Sequence, residues 1–281
     1  MDIIRSIAGM QQVALGMRRG GRRIALVPTM GCLHEGHLSL VKLARTCSDY
    51  VVLSIFVNPI QFLPGEDFTA YPRPVEADER LCREAGVDLL FYPDTALMYS
   101  PDHSVFVEET RLSRGLCGAS RPGHFRGVTT VVVKLFNMVL PDVAVFGQKD
   151  AQQLRVIRRM VRDLNIPVSI LAGPIIREPD GLALSSRNRY LSPSERQDAL
   201  CLRRALDMAE SLVRAGQRST TVLCEAMRAV MEGIPSARVD YVECVDDETL
   251  EPVERIEKPV LAVLAVRIGN TRLIDNTVLT S

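Results

Sequence analysis

The sequence predicts an α/β fold: a parallel sheet in an N-terminal domain, 1–174, and a smaller α+β C-terminal domain, 175–281, carrying an antiparallel sheet. Three observations predict it. Short apolar runs alternate with helical patterns from Ile24 to Leu171, as in β-α-β units with right-handed crossovers. The clearest of these runs, Tyr50 to Val57, is continuously apolar, as a strand covered on both faces must be. Beyond Pro174 the character changes, and two apolar runs meet across Gly269-Asn270-Thr271, a hairpin signal.

Length and charge narrow the function. A chain of 281 residues suits one large domain or two modest ones, and a 47% hydrophobic share is enough for a proper core. Lys+Arg and Asp+Glu both number 34, which argues against a nucleic-acid partner held by bulk charge. Seven cysteines without a C-x-x-C spacing read as reduced and cytoplasmic. No apolar run reaches the ~18 residues of a membrane span. The first 23 residues lack the layout of a signal peptide and read as a helix packing on the domain.

In chain order, Ile24-Ala25-Leu26-Val27 reads as a short buried strand, and His37 to Ala44 as a helix. Between them lies PTMGCLHEGH, Pro28 to His37. It is a strand-to-helix crossing at a strand's carboxyl end, where α/β proteins place ligands. Gly31 and Gly36 let backbone approach a bound group, and the helix start offers N–H groups to a phosphate. His34 and His37 share a face if the helix starts near Leu33. On residues alone three readings stand: a structural turn, a zinc site short of ligands, and a nucleotide-phosphate site whose imidazoles stabilise growing charge. Cys32 reads as a small buried filler.

Tyr50 to Val57 ends in Asn58-Pro59-Ile60-Gln61, whose neutral amides suit hydroxyl and carboxylate oxygens. Pro64 to Pro74 is a loop, Glu76 to Ala85 a helix and Asp88 to Tyr92 a strand, with a further strand expected at Ser104–Glu108. SRPGHFRG places Arg121 and His124 in a Gly/Pro-rich turn before Val128–Leu140. That segment is β-branched yet long enough for a buried helix, and its apolar sides suggest a subunit contact. Val143 to Phe146 repeats the opening pattern, running through Gly147-Gln148-Lys149-Asp150 into the helix Ala151–Leu164. Lys149 is placed to meet phosphate as a point charge, and Gln153 lies one turn on. Val168 to Leu171 closes the sheet. Leu184-Ser185-Ser186-Arg187-Asn188 sets two hydroxyls beside a guanidinium, a phosphate clamp. Ser192-Pro193-Ser194-Glu195 opens a helix with a capping box, giving Glu195–Ala215, then Thr220–Glu232. Asp240–Val245, Val260–Ile268 and Arg272–Asn276 have strand character.

His34-Glu35-Gly36-His37 resembles the HxGH signature of nucleotidylyltransferases and class I aminoacyl-tRNA synthetases. Together with FVNPIQF, FGQKDAQQ and LSSRNRYLS, the string PTMGCLHEGHLSLV resembles the pantothenate synthetase (pantoate–β-alanine ligase) family over nearly the whole chain. The resemblance implies a Rossmann-like N-terminal domain holding the active site, a C-terminal lid and a homodimer, and ATP-dependent condensation of (R)-pantoate with β-alanine through a pantoyl-adenylate, with Mg²⁺. It implies ATP contacts at Met30, Gly31, His34, His37, Gly147, Lys149, Asp150, Ile176, Leu184, Ser185, Ser186 and Arg187, with His34, His37, Lys149 and Arg187 catalytic. Pantoate falls to Asn58, Gln61, Arg121 and Gln153, and β-alanine to Gln61. Two positions depart from the family: Leu184 stands for Met, and Gln148 stands where Glu is common. Asp67, Asp78 and Asp150 are acidic, but none stands out as the Mg²⁺ ligand. Two competing readings are another HxGH nucleotidylyltransferase and an ATP-binding module without turnover. A tRNA synthetase fits less well, because the C-terminal part is small and neutral.

Overall fold

The computed structural model describes residues 1–280, which divide into two units. The first comprises Met1–Arg114, Arg121–Gln148 and Gln153–Pro174. The second comprises Gly115–Ser120, Lys149–Gln152 and the chain from Ile175 onward. A single cut in the sequence does not anticipate the two short pieces. Hydrogen bonds within the second unit explain them: the Gln152 side chain accepts from Cys117 N at 2.9 Å and donates to Gly115 O at 2.9 Å, and Asn276 Nδ2 donates to Lys149 O at 3.0 Å.

The first unit holds a six-stranded parallel sheet in the order β1-β4-β3-β2-β5-β6. Its strands are β1 (Asp2–Ile4), β2 (Ile24–Thr29), β3 (Tyr50–Ile55), β4 (Leu89–Phe91), β5 (Val143–Gly147) and β6 (Ser169–Gly173). Interleaved are α1 (Ile7–Arg19), α2 (Glu35–Arg45), α3 (Val75–Glu84), α4 (Thr95–Met98), α5 (Cys117–Ser120), α6 (His124–Val139) and α7 (Ala151–Asp163). Of these, α5 counts with the second unit. β3 is buried at every position, and Val27, Val41, Leu53, Leu90 and Val145 share one core cluster. Strand order reverses at β2, which pairs with β3 on one side and β5 on the other. Ligands of open α/β sheets lie at the carboxyl ends of strands at such a switch point.

Two sequence readings change here, and a third, the buried helix, holds. β1 precedes the N-terminal helix, which starts only after the Ser6 cap. Ser104–Glu108 forms no strand; its backbone is tied instead by Val107 N to Thr130 Oγ1 at 3.0 Å. The ambiguous Val128–Leu140 segment is the helix α6, and its apolar sides are buried in its own chain. Core burial therefore accounts for the composition that suggested a subunit contact. Thr129 and Thr130 fit this interior because their hydroxyls bond back to Phe125 O and Arg126 O, at 2.8 and 2.7 Å.

The second unit carries α8 (Pro193–Asp198), α9 (Cys201–Arg214), α10 (Thr220–Glu232) and an antiparallel sheet in the order β7-β8-β9. These strands are β7 (Ala237–Asp246), β8 (Val260–Ile268) and β9 (Thr271–Leu279). The capping box forms as read, Ser192 accepting from Glu195 N while the Glu195 side chain accepts from Ser192 N. The single helix expected at Glu195–Ala215 is two, because tight turns Leu200 N→Gln197 O and Leu202 N→Ala199 O interrupt the α ladder. Leu206, Leu223, Met227, Leu264 and Ile268 lie in its core.

Candidate active site

The stretch after β2 is built by its own backbone donors. Gly31 takes φ 81° and Cys32 φ 50°, so two successive residues turn through the left-handed region. Gly31 is required: a Cβ there would stand 2.9 Å from Asp78 Oδ2. The buried Asp78 carboxylate, delivered by α3, accepts Cys32 N and Leu33 N at 2.8 Å each.

The helix α2 starts at Glu35, ahead of the His37 start read from the sequence but after the Leu33 start that a shared histidine face required, and this changes what the histidines do. His34 is the N-cap: its Nδ1 accepts Gly36 N at 3.1 Å. His37 is the third helical residue, and its Nδ1 accepts His34 N at 3.3 Å, closing a capping box made of two imidazoles. Their ring centroids lie 4.1 Å apart. Since a backbone N–H can only donate, both Nδ1 atoms accept, and each neutral ring carries its proton on Nε2. The pair thus presents two Nε2–H groups at a helix N-terminus.

In the same unit, three more expected residues meet. Asn58 Nδ2 donates to Gln61 Oε1 at 2.9 Å and to Gly127 O at 3.1 Å. Gln61 Nε2 contacts Met30 Sδ at 3.1 Å, and Tyr99 OH donates to Asn58 Oδ1 at 2.8 Å. Burial pushes the Tyr99 phenol up, so it remains a donor. Gln61 closes a 3₁₀ turn, Pro59–Gln61, and both amides are buried. Arg121 is engaged inside the chain: it pairs with Glu66 through Nε and Nη2, at 2.6 and 2.7 Å, and reaches His124 and Gln61 O. Burial alone would raise the Glu66 pKa, but the Arg121 pair and the Leu63 N–H outweigh it and hold the carboxyl below its usual range.

The remaining expected residues distribute as follows. Gly147 ends β5 opposite Gly173, and Gln148 Oε1 accepts from the buried Arg155 at 3.0 Å. Gln153 is half-buried in the first turn of α7. In the second unit, Lys149 Nζ stands 3.9 Å from Asp150 Oδ1. Leu184 N donates to Ile176 O at 2.9 Å, joining those two expected ATP residues. Ser185 Oγ accepts Arg187 N at 3.3 Å and caps a 3₁₀ turn, Ser186–Tyr190, in which Ser186 is buried. Asn188 Nδ2 donates to Ala183 O at 3.1 Å. The structuring roles of Asp78, Tyr99 and Glu66 were invisible in the sequence, because their partners lie 46, 41 and 55 residues away and follow no motif.

The whole chain is similar to one family of known proteins. The family profile described as pantoate-beta-alanine ligase matches residues 2–278. Pantothenate synthetase of Thermotoga petrophila is 56% identical over 279 residues, covering 99% of this chain and 100% of the relative. That of Geobacter sulfurreducens is 55% identical over 279 residues, covering 99% of each. Among solved structures, pantothenate synthetase from Thermus thermophilus superposes with TM-score 0.93 at 44% identity, covering 99% of both chains. Pantoate-beta-alanine ligase from Francisella tularensis, complexed with beta-gamma ATP and beta-alanine, gives TM-score 0.83 at 32% identity, covering 99% of this chain and 97% of that one.

Proposed function

This chain belongs to the pantoate-beta-alanine ligase family, and from that premise we propose that it condenses (R)-pantoate with β-alanine, consuming ATP and releasing AMP and pyrophosphate. A carboxylate is a poor electrophile, so it is first adenylated. A pantoate carboxylate oxygen attacks the α-phosphorus and pyrophosphate leaves. The β-alanine amine then attacks the acyl carbon, and AMP leaves with the bonding electrons. The enzyme's part is positioning and charge neutralisation.

The observation that carries the reading is the paired imidazoles at the switch point. With both Nδ1 atoms occupied by backbone donors, the Nε2–H groups of His34 and His37 serve the α- and β-phosphoryl oxygens as charge grows there. Lys149 and Arg187 add positive charge, and Ser185 and Ser186 add hydroxyls. Met30, Gly31, Gly147, Asp150, Ile176 and Leu184 are the further residues that the family reading assigns to ATP. Asn58, Gln61 and Gln153 hold pantoate, with Gln61 also next to β-alanine. Neutral amides do so without burying a charge.

Mg²⁺, when bound, would ride on the ATP phosphates and neutralise their charge. Among the described residues no group of three or more His, Cys, Asp or Glu side chains is arranged to hold an ion, and phosphate-borne Mg²⁺ needs few protein ligands. We place the protein in the cytoplasm as a homodimer. The seven free cysteines support the first, and Val105, an apolar side chain 75% exposed, supports the second. Among the described residues no helix is long and apolar enough to cross a membrane.

The test is product stoichiometry. With ATP, Mg²⁺, pantoate and β-alanine, the protein should release AMP, pyrophosphate and pantothenate in equal amounts. ATP binding without turnover, or AMP transfer to a phosphorylated acceptor instead, would overturn the proposal.

A further inference from the structure

The SRPGHFRG string grips the Pro59–Gln61 turn from behind. His124, at the start of α6, is buried, and its Nδ1 lies 2.8 Å from the Gln61 carbonyl oxygen. Its other nitrogen, Nε2, lies 3.0 Å from Arg121 Nη1. A guanidinium only donates, so Nε2 accepts and Nδ1–H donates to Gln61. Arg121 Nη2 adds a second donor to the same carbonyl at 3.3 Å. Arg121 is in turn fixed by the two-pronged Glu66 pair, and Glu66 Oε2 also accepts Leu63 N at 3.0 Å. The close approach needs Gly127: a Cβ there would stand 2.5 Å from Ile60 O and 2.7 Å from Gln61 Cα.

We propose that Glu66, Arg121 and His124 are positioning residues for the ligase reaction: they lock the Gln61 backbone and so aim its amide at the acid substrate. They act through Gln61, and Arg121 serves pantoate from behind rather than as a direct ligand. Its guanidinium is committed inside the chain, to Glu66, His124 and the Gln61 carbonyl. A charge-assisted bidentate pair is the rigid way to hold a guanidinium in one plane. Only such a plane meets both the imidazole and the carbonyl. The Asn58 amide holds the Gln61 side chain, so backbone and amide are each fixed separately.

The inference rests on the reading of Gln61 as a substrate-holding residue, and the experiment separates the two. Steady-state constants and melting temperature are measured for Gln61→Ala, His124→Leu, His124→Asn, Glu66→Gln and the double variant Gln61→Ala/His124→Leu. His124→Leu should raise the pantoate KM about tenfold, the scale of one lost hydrogen bond to a buried acceptor, with the ATP KM nearly unmoved. His124→Asn, whose amide can still donate to the carbonyl, should recover most of that loss. Glu66→Gln should shift the pantoate KM in the same direction without relying on the His124 variant folding. In the Gln61→Ala background, His124→Leu should add nothing to the pantoate KM. If Gln61→Ala raises the pantoate KM but His124→Leu and Glu66→Gln do not, the positioning role is wrong and Gln61 stands. Equal rises for pantoate and ATP, or no rescue by Asn, would also overturn it, leaving a merely structural role. An unchanged pantoate KM in Gln61→Ala would bring down both readings.

Discussion

Asp78 accepts the backbone N–H of Leu33 at 2.8 Å, one carboxylate oxygen meeting it and the other meeting Cys32 N. A helix 45 residues downstream thereby shapes the loop that presents His34 and His37. Asp78→Ala would leave two buried donors without this acceptor, each costing about 1–3 kcal/mol. The expected outcome is a lower urea midpoint together with a fall in kcat for adenylate formation. Asp78→Asn retains one acceptor oxygen but turns an NH₂ toward the second donor, so it should rescue only partly. Wild-type kcat in Asp78→Ala would show that the loop keeps its shape without the carboxylate.

Gly127→Ala reverses a familiar sign. In an exposed helix interior this change stabilises by about 1 kcal/mol. Here the added methyl meets the Ile60 carbonyl oxygen at 2.5 Å, which is backbone and cannot swing aside. Overpacking of this kind costs about 1–3 kcal/mol. Denaturant unfolding should show destabilisation, and the pantoate KM should rise because the Pro59–Gln61 turn is pushed away. An unaltered or raised midpoint would mean the helix can step back freely.

Acid should unfold the protein through specific carboxylates. The Lys258 ammonium and the Thr249 and Glu248 N–H groups hold the Asp246 carboxyl well below the usual range. Glu66 is also depressed, its Arg121 pair outweighing burial. A depressed folded pKa means the unfolded chain takes up the proton first. The stabilisation is present above the ordinary carboxylate pKa of about 4 and is lost as pH falls through the folded value. Melting temperature should therefore be flat from pH 7 to about 5 and fall below about 4. Asp246→Asn should flatten part of that fall. An acid limb identical to wild type would remove Asp246 from the account.

Much of this protein was legible in sequence where the signal is local. Ser192 and Glu195 sit three apart in a capping box, and the apolar run Val260–Ile268 forms a strand with those bounds. The HxGH string was legible as chemistry, but its geometry was not. A histidine is an uncommon N-cap, so nothing in the spacing said that the rings would cap the helix themselves. The hidden part is non-local. Asp78, Tyr99 and Glu66 act on residues far along the chain, and such pairings exist only once the sheet has brought its strand ends together. Ser104–Glu108 failed for the opposite reason: the apolar run Val105-Phe106-Val107 suggests a strand, but its backbone is drawn to Thr130 on α6 instead of to a sheet neighbour.

The last expectation concerns the order of chemistry. His34, His37, Lys149 and Arg187 serve the phosphates in the proposed site, and the amine needs none of them. Activation should therefore proceed without β-alanine. Given pantoate, ATP and Mg²⁺ alone, the protein should exchange labelled pyrophosphate into ATP. His37→Ala removes one Nε2–H donor, and losing such a transition-state donor typically costs ~100- to 1,000-fold in rate. The same change also removes the acceptor for His34 N, a capping loss of roughly 1 kcal/mol. The two effects separate by measurement. A capping loss alone lowers the melting temperature by a few degrees and leaves exchange per folded molecule intact. A catalytic loss abolishes exchange in protein that is still folded at assay temperature. Exchange that strictly requires β-alanine would favour a concerted ternary mechanism over a free adenylate. Full exchange in folded His37→Ala would mean that the imidazole pair is a helix cap and nothing more.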